Sequence, residues 1–446
     1  MNQEYKKYGD EAYEIVKYAA RTIGSRLPGS EGERKYAAYM GEKLKEIGIE
    51  PVKEEFAVFP RASIGGLPYC GWVGLILCVA AFFARSITPV WYGMAFFSCA
   101  FLIWLIFGVF LYKPWFDMFF GEKISQNTYG ILEPEDGKYD YTIVLSGHTD
   151  TSWNWKHSEH SYKYRDKPIK GIIVTYAKVG IGAVAIISMA LISIFMAVVY
   201  FSANEIGAQW ASNLIASDGF GIFRTIMTLY PGVAGICSFF LIMWGDKEEE
   251  NASRGAMDNS TGCALSYEVI KYFKENPDKM PKNCRIIDLN CGSEEAGLRG
   301  SMAFAEEHRM DDMLKNTWNL NIDSIADKEY FEVVIKDDWQ FTRFDMDLEL
   351  MFKDTFKELG IESKTNGCIH NPVGGCDSTP MTKAGIKSVT FAAQNPMLTY
   401  YYHTFRDVPE RFEPETVGTG FEVLLGVIDK IDKFQQQYGF TGPRTK

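Results

Sequence analysis

The sequence predicts an α/β protein, a mostly parallel, helix-covered sheet interrupted by two apolar helical hairpins. Three observations carry this. Short apolar, β-branched runs alternate with amphipathic helical stretches over most of the chain. Four longer apolar runs fall in two pairs, each run near the ~20 residues that span a bilayer core as a helix. The residues best suited to chemistry stand just after strand-like runs or at turns, where open α/β sheets gather their sites.

The elements follow in order. Residues 9–24 read as an amphipathic helix with Ala12, Ile15, Val16, Ala19 and Ala20 on one face. Leu27 to Gly32 is a turn, and Ser30 is placed to cap a helix over 31–47 that ends at Gly48. Strands are predicted over 51–59, 127–132, 140–145, 284–290, 318–322, 330–335 and 386–392, and helices over 262–273, 301–307, 345–359 and 413–436.

The apolar runs are 65–84, 88–112, 179–201 and 220–244. The last is the weakest, since it holds Arg224 and Pro231; Arg224 lies near one end, within reach of headgroups. Trp72, Trp91, Tyr92, Trp115, Tyr200 and Trp244 lie near run ends, as interfacial aromatics do. Arg61, Lys113 and Lys123 flank the first pair; Lys163, Arg165, Lys167, Lys170 and Lys178 precede the third run, and Lys247 and Arg254 follow the fourth. The loops within the pairs hold few charges: Arg85 in one, Glu205 and Asp218 in the other. That asymmetry predicts an integral, multi-pass protein of a prokaryotic plasma membrane with its other segments cytoplasmic. The expected organisation is one soluble domain in three parts, 1–60, 123–175 and 247–446, carrying transmembrane hairpins at 61–122 and 176–246.

Composition excludes some classes. A formal charge of -11 argues against nucleic acid as a partner. Nine cysteines without zinc-finger spacing suit a reducing compartment, and Cys368 and Cys376 are not expected to pair. The first 26 residues are charged and lack an apolar core, so no secretory signal is expected.

Five segments offer metal-type side chains. A buried strand delivers His148 to its tip in Ser146-Gly147-His148-Thr149-Asp150, and Asp150 can orient the imidazole. Asp258 lies in Gly255-Ala256-Met257-Asp258-Asn259-Ser260-Thr261-Gly262, a turn entering a helix. Glu294 and Glu295 follow a strand, Asp323 ends one, and His403 follows the aromatics Tyr400, Tyr401 and Tyr402. Adjacent carboxylates at a strand end repel unless a cation lies between them. Two histidines and three carboxylates suit two borderline divalent ions such as zinc, with one carboxylate bridging. His157, Glu159 and His160 form a further polar cluster, read as a solvated loop. His308 and His370 read as structural. Tyr400 to Tyr402 are read either as pocket lining or as packing aromatics.

In order and spacing these motifs resemble the M28 family of metallopeptidases, the co-catalytic zinc aminopeptidases. Gly374-Gly375-Cys376-Asp377-Ser378 is similar to a further family segment, though many relatives have His where this chain has Ser378. The resemblance implies a sheet of the zinc-aminopeptidase type and two Zn2+ ions, with other divalent ions as alternatives. By it, His148 and Asp323 would hold one ion, Glu295 and His403 the other, and Asp258 would bridge. Glu294 would be the general base and Asp150 the partner of His148. Asp258-Asn259 is where a cis peptide is expected. Asp407 is left with no role beyond support. The chain departs from the family in placing about a hundred residues between Asp150 and Asp258.

The function expected is a membrane-embedded di-zinc hydrolase of peptide or amide bonds, foremost an aminopeptidase, with the lipid bilayer as a second partner. A glutaminyl-cyclase-like or N-acyl amide hydrolase activity, a non-catalytic receptor-like role, and transport are the alternatives. The spans hold no charge but Arg224 to mark a pathway, which counts against transport.

Overall fold

The computed structural model describes residues 3–84, 87, 89–156, 162–164, 168–242, 252–371, 374–397 and 399–445. His157, Glu159 and His160 lie outside the described residues, as do Arg85, Arg165, Lys167, Trp244 and Lys247. The chain divides into two compact units: residues 1–61, 120–154 and 247–446 form one, and 62–119 with 155–246 the other.

The first unit is built on a nine-stranded sheet. Its strands are β1 (Val52–Val58), β2 (Lys123–Leu132), β3 (Tyr141–His148), β4 (Cys284–Cys291), β5 (Thr317–Ile325), β6 (Phe331–Asp337), β7 (Thr342–Arg343), β8 (Cys368–Asn371) and β9 (Lys387–Ala393). The spatial order is β1-β2-β4-β3-β5-β9-β6-β7, with β8 beside β6. The centre, β4-β3-β5-β9, is parallel, while β1, β2, β6 and β7 join antiparallel at the flanks. This division follows from burial. β3, β4 and β9 are buried along their whole length, as strands covered on both faces must be, whereas the edge strand β1 keeps alternate residues exposed. Within β3 and β4 the side chains alternate between two cores. Ile143, Leu145 and Ile286 join the helices Thr261–Glu275 and Pro414–Tyr438, and Val144 and Ile287 join Phe304 and Met381 on the other face.

The helices start where their sequences say they should. Ser30 caps Glu31–Glu46 by accepting from the Glu33 N–H at 3.3 Å, and Asp345 caps Met346–Glu358 by accepting from Asp347 and Leu348. The first helix differs from expectation. It begins at Gln3 and closes in a wider turn at Ala19–Ile23. Val58 pairs with Lys123, so the first insertion occupies the loop of a β-hairpin.

The second unit is helical: Leu67–Ala84, Pro89–Trp104 continued by Leu105–Phe110, Pro168–Asn204, Gln209–Ile215 and Asp218–Ile242. Four of its helices are long and apolar enough to cross a membrane. The third starts at Pro168, well before the apolar run, because a proline in the first helical turn is compatible with helix and the charged lead-in simply extends it. Leu77, Trp91, Met94, Met189, Met196 and Ala234 form its interior.

Candidate metal centre

The parallel strands bring the predicted residues to one edge of the sheet. His148 is the last residue of β3 and pairs in register with Cys291, the last of β4. Glu294 and Glu295 form the turn that follows. Asp323 lies in β5 where its register against β9 shifts, between Ile322 and Ile325, a break that re-aims the side chains there. His403 lies beyond β9 with a left-handed backbone, φ 53°. Asp258 sits in the turn that opens the helix Thr261–Glu275, and the Asp258–Asn259 peptide is cis. Two glycines let that helix start close to the sheet. A Cβ on Gly147 would stand 2.7 Å from the Cys263 nitrogen, and one on Gly262 would stand 2.2 Å from the Ile322 carbonyl oxygen.

These side chains meet in two overlapping triads: His148, Asp258 and Asp323, and Asp258, Glu295 and His403. Asp258 serves both, its Oδ1 lying 3.1 Å from His148 Nε2 and its Oδ2 2.9 Å from His403 Nε2. Asp323 Oδ1 is 3.9 Å from His148 Nε2, and Glu295 Oε1 is 3.0 Å from His403 Nε2. Glu294 is adjacent and partly exposed.

Asp150 does more than orient His148. The imidazole Nδ1 lies 3.2 Å from the Asp150 carbonyl oxygen and 3.4 Å from its carboxylate. The carboxylate oxygens accept from the N–H groups of Glu294 and Glu295, both at 2.9 Å. Asp407 likewise accepts from Met257 and Asp258, at 2.9 and 3.0 Å, so it holds the backbone of the shared carboxylate.

Sequence patterns gave no sign of three further supports. Arg26 is fully buried and bonds loop carbonyls around His148 and Asp258. Glu33 is also buried; its Oε1 accepts from the N–H and hydroxyl of Ser293, at 2.7 and 2.8 Å, and its Oε2 from the Gly29 N–H. Ser30 and Glu33 have the spacing of a capping box, in which the glutamate would turn back to the Ser30 N–H; here Glu33 instead accepts from Gly29 and from the turn before Glu294. Arg411 stacks on Tyr401 at 3.6 Å and pairs with Asp327 at 2.6 Å, and Tyr401 also donates to Asp327. That props the segment leading to His403, whose ring stacks on Tyr402 at 3.9 Å. Among the described residues the other two histidines are separate: His308 lies between Glu54 and Asp311, and His370 is near Asp338. Cys368 and Cys376 are free thiols.

Electrostatics describe a centre that wants positive charge. Burial, reinforced by neighbouring carboxylates, lifts Asp323 to about 7 and Glu294 well above the carboxylate range. Against the desolvation that opposes it, Glu295 and Asp258 raise His403 to about 10, and His148 is raised by Asp150 and Asp258. Asp258 is held below its ordinary range despite burial, because both imidazoles bond to it. Asp377, of the Gly-Gly-x-Asp segment, is buried and lifted to about 6; Ser301 bonds its Oδ1, and its Oδ2 has no hydrogen-bond partner. Glu295 Oε1 is buried and makes no well-aligned hydrogen bond. A divalent cation would balance the charge of these buried carboxylates, and the imidazole and carboxylate donors fit zinc.

The segment 242–428 matches the model of peptidase family M28. This stretch includes Asp258, Glu294, Glu295, Asp323 and His403, while His148 and Asp150 precede it. Among solved structures, the chain is similar to a zinc aminopeptidase from Bacillus subtilis, at 12% identity and TM-score 0.53, over 95% of each chain. It is similar also to a Zn-dependent exopeptidase from Parabacteroides distasonis, at 12% identity and TM-score 0.51, over 94% of this chain and 97% of that one. A glutaminyl cyclase from Bacteroides thetaiotaomicron gives 13% identity and TM-score 0.51, over 94% and 97%. These likenesses establish the fold. The comparison with curated proteins gives no match.

Proposed function

Starting from a chain whose segment 242–428 matches peptidase family M28, we propose a membrane-embedded di-zinc hydrolase that cleaves peptide or amide bonds, acting as an aminopeptidase. The observation that carries this is the pair of donor triads sharing Asp258. A site for one ion needs only one of them. In this reading His148 and Asp323 would hold one ion, Glu295 and His403 the other, and Asp258 would be shared by both. Bound there, two zinc ions would supply Lewis-acid polarisation of the scissile carbonyl and a water acidified to near neutrality.

The chain's own residues supply the rest. Glu294 takes a proton from the attacking water as the new C–O bond forms, and returns it to the amine nitrogen as the C–N bond breaks. Its raised affinity for a proton suits the second task, since a carboxylate in the ordinary range would be a weak acid catalyst at neutral pH. Asp150 fixes the peptide groups of Glu294 and Glu295, so base and ligand keep their relative positions. The four apolar helices are assigned to the bilayer, with the peptidase unit on the cytoplasmic side.

The test is metal content per chain on detergent-solubilised protein, beside hydrolysis of aminoacyl-amides by wild type and Glu294→Gln. Two zincs with activity lost in the variant support the proposal. One zinc with cyclisation of amino-terminal glutamine favours a glutaminyl-cyclase-like enzyme. No zinc after reconstitution overturns the hydrolase reading.

A further inference from the structure

The loop between the first and second predicted ligands, His148 and Asp258, carries the whole of the second insertion, residues 155–246. Something in the first unit must therefore hold the two loop ends together. One side chain contacts both.

The Arg26 guanidinium spends its donors on them. Nε donates to the Thr149 carbonyl at 2.8 Å. Nη1 donates to the carbonyls of Gly24 and Arg254, at 3.1 and 3.0 Å. Nη2 donates to the Gly255 carbonyl and the Ser260 hydroxyl, both at 2.9 Å. The main chain repeats the tie, since the Arg26 N–H donates to Thr151 Oγ1 and its carbonyl accepts from the Thr151 N–H, each at 3.0 Å. Thr149 and Thr151 bracket Asp150, and Gly255 and Ser260 bracket Asp258. The junction is close: a Cβ on Gly255 would fall 2.2 Å from Thr151 Cγ2 and 2.6 Å from Arg26 Nη2.

Every hydrogen-bond partner of this guanidinium is neutral, and the side chain is fully buried against the Tyr36 ring at 4.8 Å. Burying a cation without a bonded carboxylate is unfavourable. The planar fork of arginine meets carbonyls on several loops at once, which the single ammonium of lysine does not.

We infer that Arg26 is a positioning residue: it bridges the two ends of the second insertion and thereby sets the separation of His148 and Asp258. The inference rests on the metal-dependent reading of the site, but its first test does not need the substrate to be known.

The experiment uses the full-length, detergent-solubilised chain with Arg26→Lys, Arg26→Ala and, as a milder change, Ser260→Ala. Zinc affinity is measured by chelator competition, thermal midpoint alongside it, and kcat and KM on aminoacyl-amides where wild type is active. Loss of a group that orients ligands weakens metal affinity or activity by about 10- to 100-fold. We expect a loss of that size in zinc affinity for Arg26→Lys, a smaller one for Ser260→Ala, and kcat falling more than KM changes. Guanidinium at low millimolar concentration should restore part of the loss in Arg26→Ala. Folded Arg26→Lys and Ser260→Ala proteins with wild-type zinc affinity would overturn the inference. So would losses that follow only the fraction unfolded and that guanidinium leaves unchanged. If wild type binds zinc but cleaves no amide, the proposed activity fails while the affinity comparison still judges Arg26.

Discussion

The two units bury opposite chemistries. In the first, the sheet edge encloses charge: His148, Asp150, Asp258, Glu295, His403 and Asp407 are all buried, together with Arg26 and Glu33. In the second, the interior is apolar, with Leu77, Trp91, Met94 and Met189 among its members and the hydroxyl groups of Ser98, Ser193 and Ser238 enclosed beside them, while further large apolar side chains face outward: Phe96 is 81% exposed, Leu229 73% and Ile236 72%. Ser193 and Ser238 return their hydroxyls to their own helix, at Met189 O and Gly235 O. A water-soluble unit hides apolar surface and tolerates buried charge only where it is paired or functional. A unit solvated by lipid gains nothing by hiding apolar surface and packs through close backbone approach instead. The two units therefore present two different surfaces, the second of the kind that lipid would solvate, and substitutions should fail differently in each.

The sharpest break is Asp258→Ala. It removes the carboxylate common to both triads, so both zincs should be lost and activity should fall to background; metal analysis beside turnover checks this. Glu294→Gln should keep both zincs and lower kcat by about 10²- to 10⁴-fold, the span of general acid–base catalysis. A variant that lost metal as well would move Glu294 from proton carrier to ligand.

Asp288 tests what buried charge costs away from the centre. It lies in β4, accepts from Ser266 and Asn290 through Oδ1, and has no partner on Oδ2. Burial raises it to about 7. Its folded form therefore holds a proton that the unfolded chain releases near 4. The stability it contributes is complete below about 4 and is lost as pH rises through about 7. Asp288→Asn should be increasingly more stable than wild type as pH rises across that window, by at most roughly 4 kcal/mol. Denaturation of both proteins at pH 5 and pH 8 checks the sign, and a constant difference would refute it. The smallest effect belongs to the helical unit. A Cβ on Gly71 would lie 2.4 Å from Ile242 Cγ1 and 2.7 Å from its backbone nitrogen. Gly71→Val should destabilise by about 1–3 kcal/mol, the usual cost of overpacking. Phe96→Leu, on the outward face, should leave the thermal midpoint unchanged.

What could be read from the sequence follows the same divide. Seven of the nine strands announced themselves by apolar runs, and the candidate ligands by standing near strand ends or turns, because both signals are local; β7 and β8, of two and four residues, are too short to show a pattern. The four long apolar helices were equally plain. What could not be read were the supports whose partners are backbone groups far along the chain. Arg26 looks like any arginine before a turn, and apart from Gly24 its hydrogen-bond partners lie more than a hundred residues later. Asp407 was visible beside His403, but nothing local says that it receives the N–H groups of Met257 and Asp258. Asp150 was assigned to His148, and its hold on the Glu294–Glu295 backbone appears only when β3 and β4 lie side by side. The antiparallel flanks escaped notice because an edge strand such as β1 differs from a central one in its neighbours more than in its residues.

The Ser253 N–H donates to the Ser152 carbonyl at 3.0 Å, which closes a loop of about a hundred residues. For a flexible chain, closure entropy grows only with the logarithm of loop length, about 0.6 kcal/mol for each doubling. Stretching a ten-residue connection to a hundred would thus cost roughly 2 kcal/mol. Two helices that fold as a pair shorten the effective loop and reduce even that. An insertion at this point is therefore nearly free of thermodynamic penalty for the sheet, whatever its length, provided its ends return to the same two serines. A sheet of this kind can in this way gain long apolar helices without redesign of its core.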